Sequence, residues 1–122
     1  HIKGINSVDK KHLIKHNVKS NHIEKISVEC LSLEDLLKKY EINNLDLVYI
    51  DAEGYDGDIV ISFLNCLNFQ PIIIFEFIHV DYDLFKNVIK KLDEKKYNYF
   101  SIDENLICFP KEDIFYDSIH LK

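Results

Sequence analysis

The stretch Leu45-Asp-Leu-Val-Tyr-Ile-Asp-Ala-Glu-Gly-Tyr-Asp-Gly-Asp58 decides the fold of this 122-residue chain. Its first six residues are mostly apolar and predict a β-strand. The strand stops at Asp51, where an acidic turn begins that holds four carboxylates within eight residues: Asp51, Glu53, Asp56 and Asp58. Gly54 within this turn predicts an unusual backbone angle at a sharp connection from strand to helix.

A second apolar stretch, Ile72–Phe75, ends in the same way at Glu76. Such a continuous β-branched run is typical of a central parallel strand covered on both faces. In chain order, the pattern predicts a helix over 7–15, a strand over 23–30, a helix over 32–40, a strand over 45–50, a helix over 59–67, a strand over 72–75, a helix over 81–96 and strands over 97–102 and 106–109.

This alternation of helices and strands predicts an α/β fold. We expect a mostly parallel sheet that ends in an antiparallel hairpin, because a tight link over 103–105 joins the last two strands. We expect strands 45–50 and 72–75 to be adjacent, parallel and at the centre of the sheet. The length allows one small domain, residues 1–122, with a core of its own.

The composition narrows the class of protein. An apolar fraction of 47% and a charged fraction of 30% indicate a folded globular chain. The net charge of −6 argues against a nucleic-acid-binding surface, which needs a basic excess. The three cysteines form no CxxC pair and predict buried free thiols in a reducing compartment. No signal peptide or membrane-spanning run is visible in these residues, so we expect a cytoplasmic protein without a membrane partner.

Two strand ends carry the candidate chemistry. Ligands of open α/β sheets bind beyond the carboxyl ends of the strands, which is where Asp51 and Glu76 are predicted to lie. Glu76 and His79 could hold a metal or move a proton. Asp56 and Asp58 have a simpler explanation, since acids near a helix start interact favourably with the helix dipole.

Four segments resemble the FkbM family of S-adenosylmethionine-dependent methyltransferases. They are Ser7-Val-Asp-Lys-Lys-His-Leu13, Ser32-Leu-Glu-Asp-Leu-Leu37, Leu45-Asp-Leu-Val-Tyr-Ile-Asp-Ala-Glu-Gly-Tyr-Asp56 and Pro71-Ile-Ile-Ile-Phe-Glu76. The match keeps the family's order and spacing over roughly residues 7 to 80. It implies the C-terminal part of a Rossmann-like class I methyltransferase fold.

The resemblance also implies a reaction and its residues. The expected reaction transfers a methyl group from S-adenosylmethionine to a hydroxyl oxygen of a sugar or another small molecule. Asp51, Glu53 and Gly54 fall on the family's acidic turn, and Glu76 falls on its second strand end. His79 matches a histidine found in part of the family. Asp51, Glu53, Glu76 and His79 are therefore the candidate catalytic residues, and a divalent metal could lie between Asp51 and Glu76.

The chain departs from the family at a few positions. Phe77 replaces a histidine, Val80 replaces a leucine, and Gly57 stands where a bulky residue is common. The chain opens with His1 and has three glycines, with no glycine-rich loop after an N-terminal strand. We therefore expect the family's cofactor loop to lie upstream of residue 1, and we assign no cofactor-binding residue.

Two alternatives stay open at this point. The chain could be a truncated or degenerate α/β domain without catalytic activity. It could also be a metal-dependent nuclease that uses Asp51 with Glu76. Phe77 and Ile78 stand where such a nuclease usually carries a lysine, and the acidic net charge opposes DNA binding.

Overall fold

The computed structural model describes Ser7 and residues 10–15 and 17–111, apart from the side chain of His12. The chain divides into two compact units, residues 1–30 and 31–122. The first unit contains helix α1, Lys10–Lys15, and a short 3-10 helix, Ser20–His22. Among the described residues of this unit, the buried apolar side chain is that of Leu13 in α1.

The strand predicted over residues 23–30 is absent, and these residues have no regular secondary structure. Ile26 and Val28, whose alternation suggested the strand, are 74% and 75% exposed. A β-branched pair favours a strand only where a neighbouring strand and a packed face receive it. The prediction was wrong because an alternating pattern does not supply a pairing partner.

The second unit is a sheet with helices on one face. Its elements are α2 (Leu33–Lys39), β1 (Leu47–Ile50), α3 (Asp56–Cys66), β2 (Ile72–Glu76), α4 (Tyr82–Glu94), β3 (Tyr97–Ile102) and β4 (Asn105–Pro110). The strand order is β1-β2-β4-β3. Helix α3 packs on β1 and β2, helix α4 packs on β3, and the two helices contact each other. Both helices therefore cover the same face.

Two helix starts follow from side-chain caps. Ser32 accepts a hydrogen bond from the backbone N–H of Asp35 at 3.1 Å, as its position before a helical apolar stripe predicts. Asp81 accepts hydrogen bonds from the backbone N–H groups of Asp83 and Leu84 at 3.0 and 3.5 Å. Each cap satisfies backbone donors that the first turn of a helix leaves without a partner.

The core lies between the sheet and helices α3 and α4. It consists of buried side chains from all four strands and both helices: Val48, Ile50, Val60, Phe63, Leu64, Ile73, Phe75, Val88, Leu92, Tyr97, Leu106 and Cys108. Side chains of the opposite sheet face are more exposed, because successive strand residues point to opposite faces. Leu47 and Tyr49 on that face are 53% and 62% exposed.

The sheet corrects two predictions. Strands β1 and β2 are adjacent and parallel as expected, and β3 and β4 form the expected hairpin. However, β4 inserts beside β2 and runs antiparallel to it, so one of the three strand pairs within the described residues is parallel. In the part of the chain that the structure describes, β1 lies at an edge of this sheet and not at its centre. The alternation of elements predicted the crossovers but gave no information about where the hairpin inserts.

The cysteines are free, but they are not all buried as predicted. Cys108 is buried, Cys66 is half-buried and Cys30 is exposed. Burial raises the pKa of the Cys108 thiol to about 12, which keeps it in the unreactive thiol form.

Candidate active site

The carboxyl ends of β1 and β2 meet at one edge of the sheet. The parallel register pairs Leu47 with Ile72 at the start and Ile50 with Phe75 at the end. Asp51 directly follows Ile50, and Glu76 directly follows Phe75. The two candidate acids thus each follow one member of the last residue pair, Ile50 and Phe75. They lie at the edge where open α/β sheets bind ligands.

The acidic turn between β1 and α3 is held by one buried carboxylate. Asp56, the first residue of α3, is fully buried. Its carboxylate accepts hydrogen bonds from the backbone N–H of Ala52 at 3.3 Å and of Gly54 at 3.2 Å. The sequence predicted Asp56 as a structural acid at a helix start, and the structure adds that it clamps the turn in front of the helix.

The clamp fixes a turn of unusual backbone shape. Gly54 has a φ angle of +100°, as its position predicted, and Glu53 has a φ of +51°. Such angles are costly for residues with a side chain, so Gly54 suits this place better than any other residue. The side chains of Asp51, Glu53 and Asp58 are exposed and therefore accessible to a ligand.

The second candidate turn connects β2 to α4. The backbone N–H of Phe77 donates to the carbonyl of Glu104 at 3.0 Å, and that of Val80 donates to the carbonyl of Phe77 at 3.1 Å. Phe77 also packs against Phe85 of α4, with ring centroids 5.5 Å apart. His79 lies exposed in the middle of this turn.

The two turns lie side by side. A β-carbon built on Gly54 would lie 3.8 Å from the carbonyl oxygen of His79, which is ordinary van der Waals contact. The structure thus brings together the two segments that carry the candidate residues Asp51, Glu53, Glu76 and His79. It places them at the rim of the sheet, and their chemical roles stay predictions.

Glu76 has an altered affinity for its proton. Burial raises the pKa of the Glu76 carboxyl, and so do a hydrogen bond to the side chain of Glu104 and the negative charges of Glu104 and Asp56. The nearby imidazole of His79 opposes this rise. Glu76 therefore holds its proton to a higher pH than an ordinary glutamate does.

Glu104 is a site residue that the sequence did not reveal. It lies in the two-residue turn between β3 and β4, where Ile102 pairs with Asn105. Because β4 inserts beside β2, Asn105 pairs with Glu76 and brings the neighbouring Glu104 to the same edge. The hairpin was visible in the sequence, but its place in the sheet was not.

Among the residues that the structure describes, no group of three or more His, Cys, Asp or Glu side chains could hold a metal ion. Asp51 and Glu76 remain a pair of carboxylates at neighbouring strand ends. A cation between them stays a prediction.

Comparison with known proteins defines the class. The model of the methyltransferase FkbM domain matches residues 2–99, which is most of the chain. The chain belongs to this family. It has no significant match among curated proteins or among solved structures. Within the described ranges 10–15 and 17–111, no helix has the length and apolar character that crossing a bilayer requires.

Proposed function

We propose that this protein transfers a methyl group from S-adenosylmethionine to a hydroxyl oxygen of a sugar or another small molecule. The acceptor side of the site is formed by the acidic turn after β1 and the turn after β2. The proposal includes the fold, as the C-terminal part of a Rossmann-like class I methyltransferase domain. Family membership supports methyl transfer in general. The choice of a hydroxyl oxygen as the acceptor is inferred from the residues at the two turns.

The observation that carries the proposal is the juxtaposition of two turns at the carboxyl ends of paired parallel strands. One turn offers the exposed carboxylates of Asp51 and Glu53, and the other offers the exposed imidazole of His79. A cationic sulfonium donor is electrostatically compatible with an acidic edge. A neutral hydroxyl acceptor needs a nearby base, and this edge supplies three candidates.

The cofactor supplies a methyl group activated by its positive sulfur. The protein then has two tasks, which are alignment and proton removal. The acceptor oxygen must lie in line with the carbon–sulfur bond, so that the carbon–oxygen bond forms as the carbon–sulfur bond breaks. The hydroxyl proton passes to Asp51, Glu53 or His79. Glu76 lies at the same edge and can hydrogen-bond to the acceptor through its carboxyl group.

The proposal is tested by incubating the purified complete protein, which includes the expected cofactor loop, with S-adenosylmethionine and a panel of sugars and hydroxylated small molecules. We expect S-adenosylhomocysteine to accumulate only when an acceptor with a free hydroxyl is present. The same acceptor with that hydroxyl already methylated is the matched control and should give no product. Transfer to amine or thiol analogues but not to hydroxyls would contradict the proposed acceptor. Absence of both cofactor binding and product would contradict methyl transfer itself.

A further inference from the structure

Gly57 occupies a place in α3 where no side chain fits. It is buried in the first turn of the helix, next to Asp56. A β-carbon built there would lie 2.8 Å from Cγ1 of Val80 and 3.0 Å from both Cγ and Cδ2 of Leu84. Carbon atoms in ordinary contact lie about 3.5–4.0 Å apart. Even an alanine would therefore force Val80 to move by roughly 0.7 Å or more.

This close approach joins the two turns of the site. Val80 closes the turn that carries His79, since its N–H donates to the carbonyl of Phe77 at 3.1 Å. Gly57 follows Asp56, whose carboxylate holds the acidic turn through Ala52 and Gly54. The contact at Gly57 therefore fastens one turn directly to the helix that anchors the other. His79, the residue before Val80, is also where the two turns approach each other, since its carbonyl oxygen lies 3.8 Å from a β-carbon built on Gly54.

We propose that Gly57 is a positioning residue, which sets the distance between the acidic turn and the turn that carries His79. Gly57 itself touches neither cofactor nor acceptor. It acts because its missing side chain lets Val80 and Leu84 dock on the first turn of α3. The inference rests on the proposed function in one respect, since the distance matters for turnover only if both turns serve one reaction.

Helix propensity provides a clear contrast. Glycine is a poor helix former, and replacement by alanine normally stabilises a helix. A glycine that served only the helix would therefore be improved by the substitution Gly57→Ala. If Gly57 served only packing, the substitution would lower the stability of the protein, but turnover in the folded fraction would stay normal. A positioning glycine changes the geometry of the site and turnover together.

The experiment compares wild type with Gly57→Ala by thermal unfolding, NMR and turnover of the complete protein. We expect the backbone amide resonance of His79 to shift, although His79 lies more than 20 residues from the substitution. We expect kcat to fall, since a displacement of about 1 Å can cost on the order of 10²-fold in rate. The KM for S-adenosylmethionine should change little. Ser62→Ala, at an exposed position of the same helix, is the control and should leave both readouts unchanged.

Rescue separates positioning from general damage. The double variant Gly57→Ala with Val80→Ala removes Cγ1 of Val80, the nearest of the three atoms that the new β-carbon meets, so the His79 resonance and kcat should return part of the way toward wild type. If Gly57→Ala does not fold, Val80→Ile crowds the same contact from the other side and should move His79 in a milder way. An unchanged His79 resonance in a folded variant, or a double variant no better than the single one, would overturn the inference. If wild type transfers no methyl group, the proposed function fails, and the His79 resonances alone decide whether Gly57 sets the distance.

Discussion

Asp56 and Asp58 are two acids of one helical turn with different surroundings. Asp56 is fully buried and accepts two backbone hydrogen bonds, whereas Asp58 is exposed. We expect Asp56→Asn to lower the free energy of unfolding by about 1–3 kcal/mol. Asparagine has one side-chain oxygen that can accept a hydrogen bond, so one of the two backbone N–H groups is left without a partner. Asp58→Asn is the matched control and loses a similar interaction with the helix dipole. Urea denaturation measures both, and equal losses would contradict the clamp.

Glu76 should make stability depend on pH in a defined direction. The pKa of its carboxyl is raised above the ordinary value of 4.5, first by burial and then by Glu104. As the pH rises from 4.5 through the raised pKa, the unfolded chain releases this proton before the folded protein does. The unfolding free energy of wild type must therefore fall relative to that of Glu76→Gln across this pH window. At higher pH the difference between the two proteins stays constant.

The measurement is a series of denaturation curves of both proteins between pH 4 and 8, with a chelator present to remove any bound cation. Titrating groups that do not interact with Glu76 change both proteins alike, so the difference between the two curves reports Glu76 together with its coupling to Glu104, Asp56 and His79. A difference that stays constant with pH, or one in which wild type gains stability as the pH rises, would contradict the raised pKa.

At the scale of elements, a buried tyrosine ties the start of β3 to the start of β2. Tyr97 is 2% exposed, and its hydroxyl donates to the carbonyl of Pro71 at 2.9 Å. Tyr97→Phe leaves that carbonyl without a partner in a buried place, which should cost about 1–3 kcal/mol of unfolding free energy. Tyr99→Phe is the control, since its hydroxyl bonds to Asp93 at 3.3 Å near the surface and its loss should cost less than about 0.5 kcal/mol. Chemical denaturation that gave both variants the same cost would refute this assignment.

Local patterns predicted the elements well where one segment contained the whole signal. The cap at Ser32, the parallel pairing of β1 with β2 and the hairpin of β3 with β4 were all foreseen. The predictions failed where the outcome depended on a distant segment. The residues 23–30 carry strand-forming side chains but do not join the sheet, and β1 has the apolar character of a central strand but lies at an edge.

At the scale of the whole molecule, the site also contains residues that local sequence could predict and residues that depend on distant segments. Asp51 and Glu76 could be placed at one edge because each ends an apolar run, and parallel strands bring their ends together. Gly54 could be predicted from the turn it must form. The contributions of Glu104 and Gly57 could not be predicted, because they depend on the insertion of β4 beside β2 and on the close approach of α3 to Val80.

The central claim is that the acidic turn after β1 serves a methyl transfer reaction, and Asp51→Asn tests it most directly. Asparagine keeps the shape of an exposed side chain but removes its charge. The measurement is turnover with S-adenosylmethionine together with the melting temperature of the same protein, with Asp58→Asn as the control. We predict that Asp51→Asn lowers turnover by about 10²–10⁴-fold, as loss of a base does, and leaves the melting temperature near that of wild type. Near-normal turnover with a lowered melting temperature would contradict the account and make Asp51 a structural residue.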